Sequence, residues 1–173
     1  MRGKKVQKFK LILDANVIFH LFKIELWEKV IESYDVLVAG TVSQQEVKYY
    51  DDLQMRPHTC DLEPYSEKNL ITIFELEPSD LKVFRNKFDP LYLERLDPGE
   101  TESLAYLIIK ENEEIMLCSS DAIVFRILGA LRISDKGISL EEVLQYIGLT
   151  RNLEPYFRKR SREKWSRTGF EEG

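Results

Sequence analysis

Short apolar runs that end on acid-bearing turns constrain this chain more than any other feature. Phe9–Leu13 (FKLIL) stops at Asp14-Ala15-Asn16, and Ile115–Cys118 (IMLC) stops at Ser119-Ser120-Asp121. Asp35–Val38 and Leu70–Phe74 (LITIF) are of the same kind, and Ile133-Ser134 is a last short candidate. Apolar runs of this length, bounded by polar turns, read as strands buried on both faces.

Helical periodicity fills the intervals. Ile18, Leu21, Phe22, Leu26, Trp27, Val30 and Ile31 recur at three- and four-residue steps, predicting a helix from Val17 to Tyr34. Ser43-Gln44-Gln45-Glu46 has the form of a capping box opening a helix to about Tyr50. Pro78-Ser79-Asp80 starts another. Asp97-Pro98-Gly99-Glu100 starts one that runs through SLAYLII, and Ser119-Ser120-Asp121 caps AIVFRILGAL. Ser139 opens the last, VLQYIGL. Asp51–Lys68, with Pro57 and Pro64, reads as a loop or insertion. Strands alternating with helices predict an α/β fold: a three-layer α/β/α sandwich around a central, mostly parallel sheet. Its length of 173 residues suits one domain, here residues 1–150, followed by a basic tail, 151–173, without clear periodicity.

In such a sheet ligands bind beyond the carboxyl ends of the strands. The acids predicted there are Asp14, Glu46, Glu100, Glu102 and Asp121. Carboxylates forced together repel: at an effective dielectric of ~20, a pair ~4 Å apart costs about 4 kcal/mol. Hard divalent cations, which prefer oxygen ligands, offset that cost. A divalent cation bound there would activate water against a phosphodiester. Each acid also has a plainer reading: Glu46 and the Asp97–Glu100 pair as helix caps, Asp121 as an acid favoured by a helix dipole. Asp14 interrupts an apolar run, where an acid without a partner is costly, although it too could be an N-cap. Asn16 is a candidate cap or hydrogen-bonding support for Asp14.

These residues resemble a known family. Leu11-Ile12-Leu13-Asp14-Ala15-Asn16-Val17-Ile18 is similar to the opening of a PIN domain, and Glu46 in VSQQEV is similar to its second acid. Pro98-Gly99-Glu100-Thr101-Glu102-Ser103-Leu104-Ala105 resembles the PGExEAxxLA signature of one subgroup. Cys118-Ser119-Ser120-Asp121 resembles its T-x-D, with Ser119 in place of Thr. The resemblance spans Leu11 to about Ile133. It implies a PIN-like fold and a Mg²⁺- or Mn²⁺-dependent ribonuclease. Asp14, Glu46, Glu100 and Asp121 would be the metal-binding acids, Glu102 a candidate fifth, and Ser119 a support. It also implies a candidate homodimer, and an antitoxin partner if the chain is the toxin of a toxin–antitoxin pair. The usual small toxin is shorter and lacks the basic tail.

Composition narrows the rest. With a net charge of −5, nucleic-acid binding must come from local patches. Arg158, Arg160, Arg162 and Lys164, interleaved with aromatic residues, are candidate RNA contacts. The alternative is a solvated tail whose aromatics dock on the core. Two cysteines without metal-ligand spacing fit a reducing, cytoplasmic setting. The basic start, MRGKKVQKFK, is too short and polar for a signal peptide, and no apolar run is long enough to span a membrane. Two rival readings are a catalytically inactive PIN-fold module that binds RNA or protein, and an aspartyl-phosphate phosphatase with Asp14 as nucleophile. The second expects an acid where Asn16 stands.

Overall fold

The computed structural model describes residues 8–173; the basic start of the chain, residues 1–7, lies outside them. A five-stranded sheet of α/β type, parallel throughout, runs in the order β5-β2-β1-β6-β7. The strands are β1 (Lys10–Leu13), β2 (Asp35–Ala39), β5 (Ile71–Phe74), β6 (Ile115–Cys118) and β7 (Gly137–Ile138). Leu11, Ile12 and Leu13 are fully buried, as expected of a central strand covered on both faces. From β1 the chain moves outward through β2 to β5 on one side, then returns to lay β6 against the other side of β1. That reversal opens a crevice between the carboxyl ends of β1 and β6, the place where such sheets bind ligands.

Helices flank the sheet. The predicted helix over Val17–Tyr34 is two: α1 (Ala15–Lys23) and α2 (Trp27–Ser33). Glu25, at a φ of 58°, turns the chain between them, and this bend lets Trp27 be buried beneath Phe22. The helix expected over Ser43–Tyr50 does not form. Instead Val42–Glu46 make one π-type turn, closed by the Val47 N–H donating to the Val42 carbonyl at 2.8 Å. β3 (Tyr49–Asp51) then pairs antiparallel with β4 (Pro57–Thr59). The aromatic pair Tyr49-Tyr50 favours an extended strand, and Tyr50 stacks on His58 across the hairpin. The expected loop is therefore this hairpin plus α3 (Glu63–Glu67). The strand expected at Ile133-Ser134 also moves. Arg132, at a φ of 61°, starts a tight turn, and pairing resumes only at Gly137. A side chain at Gly137 would press on Leu128 and Phe125.

α4 (Pro78–Asn86) and α5 (Pro90–Leu93) lead to α6 (Pro98–Ile109), and α7 (Ala122–Ala130) and α8 (Leu140–Tyr146) follow β6 and β7. The C-terminal segment read as a tail is a packed helix, α9 (Lys159–Glu172), crossing α7. Its docking face carries small residues in place of an apolar stripe. A Cβ on Gly169 would collide with the Arg126 carbonyl, and one on Gly129 with the Ser166 carbonyl. Arg162 pairs with Glu142 at 2.7 Å, Arg126 with Glu172 at 2.8 Å, and Arg132 lies over the Phe170 ring at 4.1 Å. Among the described residues no helix is long and apolar enough to cross a membrane.

Gly169→Ala is expected to lower stability to urea by about 1–3 kcal/mol, the usual range for overpacking, and to open α9 to proteolysis. Unchanged stability would show that the α7–α9 contact is looser than described.

Candidate active site

α6 carries an unusual load for a buried helix. Glu100, Thr101, Glu102 and Ser103 in its first turns are all buried, although polar groups out of water are costly unless partnered. Asp97 caps it. The Glu100 N–H donates to Asp97 Oδ1 at 2.7 Å and the Asp97 N–H donates back to Glu100 Oε2 at 3.1 Å, completing the capping box expected from the sequence. The box holds the Glu100 carboxylate at the helix mouth, beside the end of β1.

Asp14 sits where β1 ends, its residue surface only 3% exposed. Its backbone N–H donates to the Cys118 carbonyl at 3.1 Å, which extends the β1–β6 ladder by one step and locks Asp14 beside β6. Its carboxylate caps α1, accepting from the Ala15 N–H at 2.9 Å, and accepts from the Ser119 hydroxyl at 2.9 Å. Ser119 Oγ in turn accepts from the Asp121 N–H at 3.1 Å. One serine therefore ties the end of β1 to the turn bearing Asp121. Asn16, by contrast, is exposed; Ala15 and Ser119 supply the hydrogen bonds to Asp14.

Glu46 reaches the site from the π-type turn after β2. Its carboxylate accepts from the Gly99 N–H at 3.1 Å. A Cβ on Gly99 would stand 2.7 Å from Glu46 Oε2 and 2.6 Å from Val42 Cγ2, so only glycine lets the turn approach the helix this closely.

Protonation records the crowding. Burial, with added repulsion from Asp97 and Asp121, pushes Asp14 up to about 6. Burial, together with Asp97 and Asp14, pushes Glu46 up to about 7. Burial, followed by the charges of Asp14, Asp121 and Asp97, raises Glu100 well above the usual carboxylate range. Asp14 thus feels the charge of Asp121, and Glu46 and Glu100 each feel the charge of Asp14.

Two differences stand out. Glu102 faces away: its carboxylate accepts from the Thr41 N–H at 3.2 Å and from the Thr41 hydroxyl at 3.4 Å. Residues two apart on a helix point in different directions, and here only Glu100 meets the other acids. Asp97, read from the sequence only as a cap, adds its charge to Asp14, Glu46 and Glu100. Its position just before Pro98-Gly99, at the mouth of the same crevice, was the available signal.

The donor set suits a hard cation. It is composed of carboxylate oxygens, and both cysteines are free and buried. Among the described residues no three His, Cys, Asp or Glu side chains form a ready-made cage. The carboxylate oxygens are taken up by backbone and serine donors, and an ion would compete for those that remain open.

The basic residues divide. Arg162 is bound to Glu142, and Arg158 donates to the Leu153 carbonyl at 2.9 Å. Arg160 and Lys164 are exposed, Lys164 lying over the Trp165 ring at 4.7 Å. Arg162 and Arg158 therefore hold α9 and its approach in place.

Like charges held together oppose folding, so neutralising one relieves strain. Asp14→Asn retains an acceptor for Ala15 and is expected to raise the melting temperature in chelator; a lower one would contradict the repulsion described. A carboxyl group whose folded pKa is raised binds its proton more tightly when folded, so stability falls as that proton leaves. For Asp14 the window runs from 3.8 to about 6 and for Glu46 from 4.5 to about 7. The metal-free melting temperature is expected to decline across that range, and less steeply in Asp14→Asn.

No protein-family model matches this chain, and neither does any curated protein or solved structure.

Proposed function

We propose that this protein is a divalent-cation-dependent ribonuclease of PIN-like type. The observation that supports it most is that Asp14, Glu46 and Glu100, from three separate segments, all have their pKa raised by burial and by neighbouring acids, Asp97 acting on all three and Asp121 on Asp14 and Glu100. Perturbed acids gathered in a cleft are a mark of functional sites. A cluster that destabilises the empty protein is retained when a ligand repays the repulsion.

Asp14, Glu46, Glu100 and Asp121 would hold Mg²⁺ or Mn²⁺. The cation, when bound, would supply positive charge to the phosphodiester and lower the pKa of a coordinated water. The chain's own residues provide the positioning. Ser119 orients Asp14 and the Asp121 turn together. The Gly99 N–H fixes Glu46, and the Asp97 capping box aims Glu100. Asp97 also holds negative charge at the rim, which favours cation capture.

A phosphorylated Asp14 intermediate is less well supported. Both Asp14 oxygens already accept hydrogen bonds, and the residue is almost wholly buried. The toxin assignment, with a homodimer and an antitoxin partner, rests on the sequence resemblance. Free, buried cysteines support a reducing, cytoplasmic site of action.

With Mn²⁺ and a defined RNA, Asp14→Asn and Glu100→Gln are each expected to lower the cleavage rate at least about a hundredfold, the scale on which loss of charge stabilisation acts. Glu102→Gln, which keeps an acceptor for Thr41, is expected to stay within a few fold of the parent. Cleavage that survives Asp14→Asn in nuclease-free preparations would refute the proposal. Equal loss in Glu100→Gln and Glu102→Gln would refute the assignment of Glu100.

A further inference from the structure

A groove of about 690 Å³ is lined by Asp121 together with its neighbours Ser120 and Ala122 and with Asn16. Its other walls are mainly aromatic. Tyr49 and Tyr50 come from β3, Phe19 and His20 from α1, and Tyr156 and Phe157 from the turn before α9. Three segments that contribute no carboxylate to the acid cluster thus build one surface that continues from it.

The rings are fixed but available. His20 stacks on Phe157 at 4.5 Å between centroids, and Phe157 packs against Tyr156 at 4.6 Å. Tyr49 is held in β3 by pairing with Thr59, while the neighbouring Tyr50 is anchored by its stack on His58. Yet Tyr49 is 68% exposed and Tyr156 50% exposed. Lys23, at the end of α1, and Asp51, at the end of β3, are the charged groups on the groove wall besides Asp121, so their charges offset each other.

We propose that this groove is a base-stacking platform for unpaired nucleotides next to the scissile phosphate, with Tyr49 and Tyr156 as the stacking surfaces. The proposal deepens the nuclease reading and takes its substrate from it. Three features favour this occupant. Asp121 lines the groove, so a strand lying in it brings a phosphate beside that acid. The exposed groups are flat rings, which accept any base, each stack contributing about 1–3 kcal/mol. The protein is acidic overall, so phosphate attraction contributes little and ring contacts must carry the affinity. A duplex, whose base faces are already covered by their neighbours, offers nothing for the tyrosines to stack on.

The test is fluorescence anisotropy with a short fluorescein-labelled single-stranded RNA, in chelator so that it stays intact. Full-length parent protein is compared with Tyr49→Ala, Tyr156→Ala and the matching Phe variants, each checked by thermal melting. Each Ala variant is expected to bind about tenfold more weakly, or worse, and each Phe variant within about twofold of the parent. The salt slope should be shallow, and a blunt duplex of the same sequence should compete poorly. Absence of strand binding, parent-like binding by both Ala variants, or equal binding of the duplex overturns the platform. Cleavage in Mn²⁺, measured separately, keeps the two ideas apart. Tyrosine-dependent binding without cleavage removes the nuclease and leaves the platform, whereas cleavage without tyrosine dependence does the reverse.

Discussion

The Asp14 carboxylate at the end of β1 is the point on which the site's architecture turns. It caps α1 through Ala15 and accepts a hydrogen bond from the Ser119 hydroxyl, so one buried group ties together a strand end, a helix start and the turn bearing Asp121. A neutral residue could make such bonds at lower cost. The charge is tolerated because serine and backbone N–H groups solvate it in place of water. Even so, burial and nearby acids leave its pKa at about 6. The site is built from groups the fold holds against their preference.

The rest of the fold serves that arrangement by bringing chain ends together. The reversal between β2 and β6 sets the crevice beside β1. The π-type turn after β2 and the missing side chain of Gly99 let Glu46 approach α6. α6 buries four consecutive polar residues and divides their labour: Glu100 toward the acids, Glu102 toward Thr41. Away from the crevice, α9 closes over α7 through two glycines and the Arg126–Glu172 pair, and is tied to α8 by Arg162 and Glu142. Its approach, at Tyr156 and Phe157, forms one wall of the aromatic groove.

Much of this was readable in the linear chain where the signal was local. The parallel α/β order follows from short apolar runs alternating with helical periodicity. The strands at Lys10–Leu13 and Ile115–Cys118 fall where their runs predict them. Asp97 with Glu100, and Ser139 with Glu142, form the capping boxes their spacing suggests. Local signals misled where a distant contact overrode them. Ser43-x-x-Glu46 has a capping-box pattern, but Glu46 spends its carboxylate on Gly99, more than fifty residues away, and no helix opens there. The charged sequence of α9 showed no apolar stripe because glycine and serine, rather than leucine, make its packing face.

The sequence by itself determined which residue types stand at the strand ends and helix mouths, because caps, turns and periodicity depend on neighbours a few positions apart. Only the tertiary structure decided which of them meet. It chose Glu100 over Glu102, added Asp97, turned Asn16 outward, committed Arg162 to Glu142, and set Tyr49 and Tyr156 beside Asp121. Those choices are electrostatic and steric, and they depend on separations through space. Chain separation does not encode such distances: Asp14 and Ser119, 105 positions apart, share a hydrogen bond of 2.9 Å.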